Sequence, residues 1–140
     1  MNNYIVIGLN EEKYALSIAE IQEIIKVQPI TDVPCDKLYV KGVINLRGRI
    51  VPVIGLSVRF GIPEAPQTSS SRIVIVRTDE DDIGIWVDGV EKVAAFEEIV
   101  PPAEHASAVN RNYLSGIGRL GDRLVSVLNL QAVLGIRGEL

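Results

Sequence analysis

The chain has 140 residues, 47% hydrophobic and 23% charged, with a formal net charge of −4. This balance describes a globular domain, excludes a disordered or collagen-like chain, and lacks the basic footprint that phosphate binding requires. One cysteine (Cys35) and one histidine (His105) exclude an internal disulfide, a cysteine-based zinc site and any chemistry needing two imidazoles.

Short Val- and Ile-rich runs separated by turn residues predict a small all-β fold. Residues 4–9 form the first predicted strand, 10–13 its turn and 14–18 the return. A helical turn is expected at 19–21, leading into a strand over 22–27. Pro29 and Pro34 mark an irregular loop. A hairpin follows: a strand at 43–46, a turn at Arg47-Gly48 and a strand at 49–54. Residues 56–60 read as a short helix stopped by Gly61 and Pro63, and 64–71 as a linker. Strands are then predicted at 73–76, 83–87 and 90–96, with turns at 79–82 and 88–89. A loop holding Pro101 and Pro102, a hairpin through Gly121-Asp122 and a short helix at 130–134 complete the chain. No run approaches the roughly 20 apolar residues of a spanning helix, and the start lacks signal-peptide character. A cytoplasmic protein is expected.

An internal repeat organises these elements. A shift of 74 lays residues 42–62 over 116–136 with eight identities, among them Gly42/Gly116, Arg49/Arg123 and Gly61/Gly135. A shift of 69 lays 14–25 over 83–94. The five-residue change predicts a longer loop in the second half. Two small barrels follow, one mainly over 4–62 and one mainly over 72–136, within a single domain spanning 1–140. Each would be marginal alone, so they are expected to pack together and leave a groove between them.

The residues offer little catalytic chemistry. His105 and Cys35 sit in loops without a local base or metal-ligand partner. The acidic run Asp79-Glu80-Asp81-Asp82 fails the EF-hand spacing and reads as a solvated turn. Glu97-Glu98 and Glu11-Glu12 are sequence neighbours, which a strand points to opposite faces. Trp86 reads as core. Lys41, Arg47 and Arg49 form one basic cluster, either a solvated turn or a polar anchor for a partner. The expectation is a binding module, not an enzyme, with no cofactor and no metal.

Several segments together resemble the CheW family of coupling proteins in bacterial chemosensory systems. They are 14–18 running into Ile21-Gln22-Glu23-Ile24, the hairpin 41–53, Gly84-Ile85-Trp86-Val87-Asp88-Gly89-Val90, 113–118 and 130–134. The Gly-x-x-Asn-Leu-Arg-Gly-x-x-x-Pro hairpin is the most specific of these, and the resemblance runs from about residue 4 to 136. It implies two SH3-like five-stranded β-barrels related by the repeat. It implies a non-enzymatic adaptor between chemoreceptor cytoplasmic tips and the regulatory domain of a CheA-type histidine kinase. Such an adaptor is recruited to receptor arrays at the inner face of the membrane; a monomer is expected for the free chain because its two barrels already face each other. By position, the resemblance implies receptor contact at Ile21, Glu23, Gly42, Arg47, Ile73 and Val93; it assigns no kinase contact. Gly55 departs from the family, many of whose members carry an acidic residue there. Two alternatives stay open: a CheW-like domain of a larger signalling protein, and a nucleic-acid-binding SH3-like barrel using the basic cluster, which the 5% aromatic content disfavours.

Overall fold

The computed structural model describes residues 3–35, 37–78, 81–101 and 111–134. His105, Asp79, Glu80, Pro102 and the repeat positions Gly135 and Ile136 lie outside the described residues. Eleven strands and two short helices are described. In the first half these are β1 (Tyr4–Leu9), β2 (Glu12–Ser17), β3 (Ile21–Lys26), β4 (Val40–Leu46), β5 (Arg49–Gly55) and α1 (Leu56–Phe60). The second half holds β6 (Arg72–Arg77), β7 (Asp82–Val87), β8 (Gly89–Ala94), β9 (Glu98–Val100), β10 (Leu114–Leu120), β11 (Arg123–Leu128) and α2 (Leu130–Leu134). Single 3-10 turns precede β3 at Ile18–Glu20 and β10 at Arg111–Tyr113. No helix among the described residues is long and apolar enough to cross a membrane.

The strands form two sheets, ordered β8-β1-β2-β11-β10-β9 and β3-β6-β7-β5-β4. Each sheet curls until one bent segment supplies both edges. After β3 the chain bends, and Thr31 bridges Val43 of β4. After β8 it bends again, and β9 pairs with β10. These are the two SH3-like barrels, with two corrections. The sheet containing β9 has six strands, because residues 98–100 pair where a loop was expected. The barrels also do not divide at 64–71. β1 and β2 join the sheet of β8–β11, while β6 and β7 join that of β3–β5. Parallel pairings stitch the exchange, Ser126 with Tyr14 and Val53 with Gly84. The physical reason is the burial of two faces per strand. In β6, Ile73 and Ile75 point into one barrel while Val74 and Val76 point into the seam between barrels.

Three apolar clusters result. Ile44, Leu46, Val51, Val53, Ile73, Ile75 and Trp86 fill the barrel of β3–β7. Tyr4, Ala15, Val125 and Val127 fill the other, with Phe96 against them. The largest, including Ile7, Leu16, Ile54, Leu56, Val74, Ile85, Leu128 and Val133, is the seam itself. At the seam, Arg59 of α1 donates from Nε to the carbonyl of Val133 at 2.7 Å, and its guanidinium lies over the rings of Tyr39 and Tyr113. Residues 59 and 133, like 39 and 113, are repeat mates at the shift of 74, so this clasp sits where the two halves meet symmetrically.

The repeat also explains Gly42 and Gly116. A Cβ on Gly42, whose φ is +146°, would fall on the Thr31 carbonyl oxygen and 2.8 Å from Ile30 Cγ2. A Cβ on Gly116 would lie 2.7 Å from Ile99 Cγ2 and 2.9 Å from the Val100 oxygen. Both positions admit the segment that closes a barrel. Thr31 and Val100 are mates at shift 69, while their partners Val43 and Ile117 are mates at shift 74. The five extra residues therefore fall between 100 and 116.

Candidate docking site

The hairpin joining β4 and β5 turns at Arg47 and Gly48, both with positive φ (53° and 86°). That is the turn that matches strand twist, and Asn or Asp is the usual non-glycine residue in it. The Gly48 amide donates to Asn45 Oδ1 at 2.9 Å. An arginine in the left-handed region costs about 1–2 kcal/mol. The Arg47 side chain shows what it gains there. Its two terminal nitrogens grip both oxygens of Glu23 on β3, one at 3.2 Å and one closer. The hydrogen bond from Arg47 holds the Glu23 carboxyl below the usual carboxylate range; desolvation opposes it, and the charges of Arg47 and Arg49 add to the lowering. Arg47 remains 63% exposed, so its fork is presented outward.

Beside this pair lies a second ionic group that the sequence did not disclose. Asp82, the first residue of β7, is only 7% exposed. Its Oδ2 receives Arg49 Nη2 at 2.6 Å and Gln22 Nε2 at 3.2 Å, and Arg77 Nε stands 4.0 Å from Oδ1. The reading of 79–82 as a solvated turn therefore fails at Asp82, because β7 begins there and draws the carboxylate under the hairpin. The only available signal was the placement of that acid between Asp81 and the apolar run 83–87.

The six expected contact residues separate. Glu23 and Arg47 meet, as just described. Ile21 pairs with Val76 and lies half-buried against the seam. Val93 pairs with Ile5 on the other sheet and is 59% exposed. Gly42 and Ile73 are not available to a partner. Gly42 is buried, and the backbone it admits is the chain's own Thr31. Ile73 is 0% exposed inside the β3–β7 barrel. Ile50, 65% exposed beside Arg49, adds an apolar neighbour that the sequence left unmarked.

The basic cluster also resolves into pairs. Lys41 bonds to Glu64 and lies over the Trp86 ring, Arg47 pairs with Glu23, and Arg49 with Asp82. Each cation has its own carboxylate, which removes the bare basic surface that nucleic-acid binding needs. Trp86 is core, as expected. Glu97 and Glu98, expected to diverge, both bond to Arg119 because Glu97 precedes β9 at a bend. Gly55 leaves α1 without a side-chain cap, whereas its mate Asn129 caps α2 by accepting from the Ala132 amide.

The family model described as CheW-like domain matches residues 3–137. The chemotaxis protein CheW of Helicobacter pylori is 33% identical over 127 residues, covering 90% of this chain and 77% of that protein. The chemotaxis protein CheW of Klebsiella aerogenes is 32% identical over 133 residues, covering 94% and 80%. The crystal structure of the scaffolding protein TtCheW from Thermoanaerobacter tengcongensis matches with a TM-score of 0.88 at 33% identity, over 98% of this chain and 90% of that one. With interlocked barrels matching a solved scaffold over almost their whole length, the chain belongs to the CheW family of chemotaxis scaffold proteins.

Proposed function

We propose that this chain is the adaptor that couples chemoreceptors to a CheA-type histidine kinase, with the receptor tip docking on Ile21, Glu23, Arg47 and Val93. The observation that carries the reading is the Glu23–Arg47 pair, exposed at a hairpin turn whose left-handed first position costs more for arginine than for the Asn or Asp usual there. Such a pair gives a helical partner both a donor and an acceptor, while Ile21 and Val93 offer apolar contact. Gly42 and Ile73 shape this surface from within. The kinase regulatory domain is the second partner, at a surface that the geometry does not assign. Recruitment to receptor arrays at the inner face of the membrane, by a chain that is monomeric when free, follows from the same reading.

Reconstitution tests it. Receptor, kinase and this chain are combined, and kinase autophosphorylation is measured with and without receptor ligand. Receptor control is expected only when the chain is present. Arg47→Ala is expected to weaken binding to a receptor cytoplasmic fragment by about 2 kcal/mol, roughly 30-fold. Intact receptor control without the chain would refute the proposal.

A further inference from the structure

The β3 strand carries a bulge at Gln22: Ile21 pairs with Val76, and the next pairing is already Glu23 with Ile75. The β8 strand breaks register at Glu91, since Val6 pairs with Lys92 and Ile7 with Val90. Residues 22 and 91 are repeat mates at the shift of 69, so the irregularity belongs to the fold. Each bulge residue is tied to the start of the second strand of the other half, β7 or β2. Gln22 donates to Asp82, and Glu91 accepts from Lys13. Residues 13 and 82 are themselves mates at that shift. The tether thus recurs with its charges redistributed, but only the first half carries a Glu–Arg pair beside it; the mates of Glu23 and Arg47 are Lys92 and Gly121.

A bulge re-aims the side chain that follows it. Here that side chain is Glu23. The same Asp82 oxygen that holds Gln22 also holds Arg49, two residues beyond Arg47 on the opposite arm of the site. We propose that Asp82 is a positioning residue of the docking site: through Gln22 and Arg49 it fixes the direction in which Glu23 and Arg47 meet a receptor tip. This rests on the docking role proposed above. Removing one partner of an ion pair is costly when the charge left behind is buried, but here Arg49 and Arg77 are 53% and 71% exposed and stay hydrated without Asp82. Positioning and stability are therefore separable at this residue.

The test uses the full chain. Asp82→Leu and Asp82→Asn are compared with wild type in three measurements: affinity for a receptor cytoplasmic fragment, thermal melting, and the NMR signal of the Arg47 Nε–H. Asp82→Leu is expected to keep its melting temperature, shift the Arg47 signal and lose about tenfold in affinity, while Asp82→Asn, which still accepts hydrogen bonds, loses less. Adding Gln22→Leu to Asp82→Leu should cost nothing further, because both remove one tether. Wild-type affinity in a folded Asp82→Leu overturns the proposal. If that variant does not fold, Asp82→Asn decides: affinity and Arg47 signal unchanged overturn it, and an affinity loss without a drop in melting temperature supports it. Failure of the wild type to bind the fragment, or of Arg47→Ala to weaken binding, refutes the docking role itself and the present inference with it.

Discussion

Gly42→Ala distinguishes a contact surface from an internal fit. The new methyl group would lie 2.9 Å from the Thr31 carbonyl carbon and 2.8 Å from Ile30 Cγ2, against backbone that cannot rotate away. A φ of +146° adds strain of about 1–3 kcal/mol for a residue with a side chain. Overpacking adds about 1–3 kcal/mol. Escape by moving the 30–31 segment breaks the two bonds between Thr31 and Val43, at 2.8 and 2.9 Å, each worth about 1 kcal/mol. These overlap, because movement relieves the clash, so the total is about 4 kcal/mol. At about 2.1 cal/mol/K per residue, the unfolding entropy of the chain is about 0.3 kcal/mol/K, and melting should fall by about 13 °C. Gly116→Ala, whose close neighbours include the end of a flexible Ile99 side chain, should lose less. Thermal melts give the stability, and titration with a receptor fragment at 10 °C gives the affinity of the molecules still folded. An unchanged melting temperature with weakened binding would refute the reasoning and return Gly42 to the interface.

Ile73→Ala should destabilise the chain by about 2–5 kcal/mol in urea denaturation, because the side chain is fully enclosed; a loss of receptor affinity without that destabilisation would contradict its place in the barrel. The Glu23 carboxyl is held below its ordinary value by Arg47, so its contribution to stability is present above the unfolded value near 4.5 and disappears as pH falls through the lower folded value. A carboxyl NMR titration should show that depression in wild type and its removal in Arg47→Ala; identical titrations would exclude the pairing in solution.

Element by element, the local chemistry of this fold is plain in the sequence. The Arg47-Gly48 turn and the short helices rest on neighbours a few residues apart, and the structure places them within a residue or two of expectation; the repeat is legible by comparing the chain with itself. The helical turn before β3 begins at Ile18 instead of 19, and the strand at Ile21 instead of 22. What was hidden depends on partners distant in the chain. β1, β6 and β7 are buried along nearly their whole length, so no polar alternation reveals which face meets which core. That concealed both the exchange of strands and the enclosure of Ile73. β9 has three residues, too few for any periodic signal, and exists because Gly116 makes room for it. Glu23 and Arg47 could be named from their surroundings in sequence, but their bond could not. Asp82 was misread because a carboxylate in a run of acids resembles solvent-facing surface until Arg49 is folded onto it.

The exchange of strands also fixes the order of events when the chain is made. β1 and β2 leave the ribosome before β8 and β11, yet Tyr4 pairs with Ala94 and Tyr14 with Ser126. A two-stranded hairpin is at best marginal in water, and the apolar face bearing Ile5, Ile7, Leu9, Tyr14 and Leu16 is covered only in part by Ile54, Leu56 and Phe60 until Val74, Ile85, Leu128 and Val133 have been synthesised. Neither barrel is complete at the moment the 64–71 linker emerges. The molecule therefore folds late and as a whole, through contacts between its ends, and a nascent chain cut short in the second half yields no finished barrel of β1 and β2.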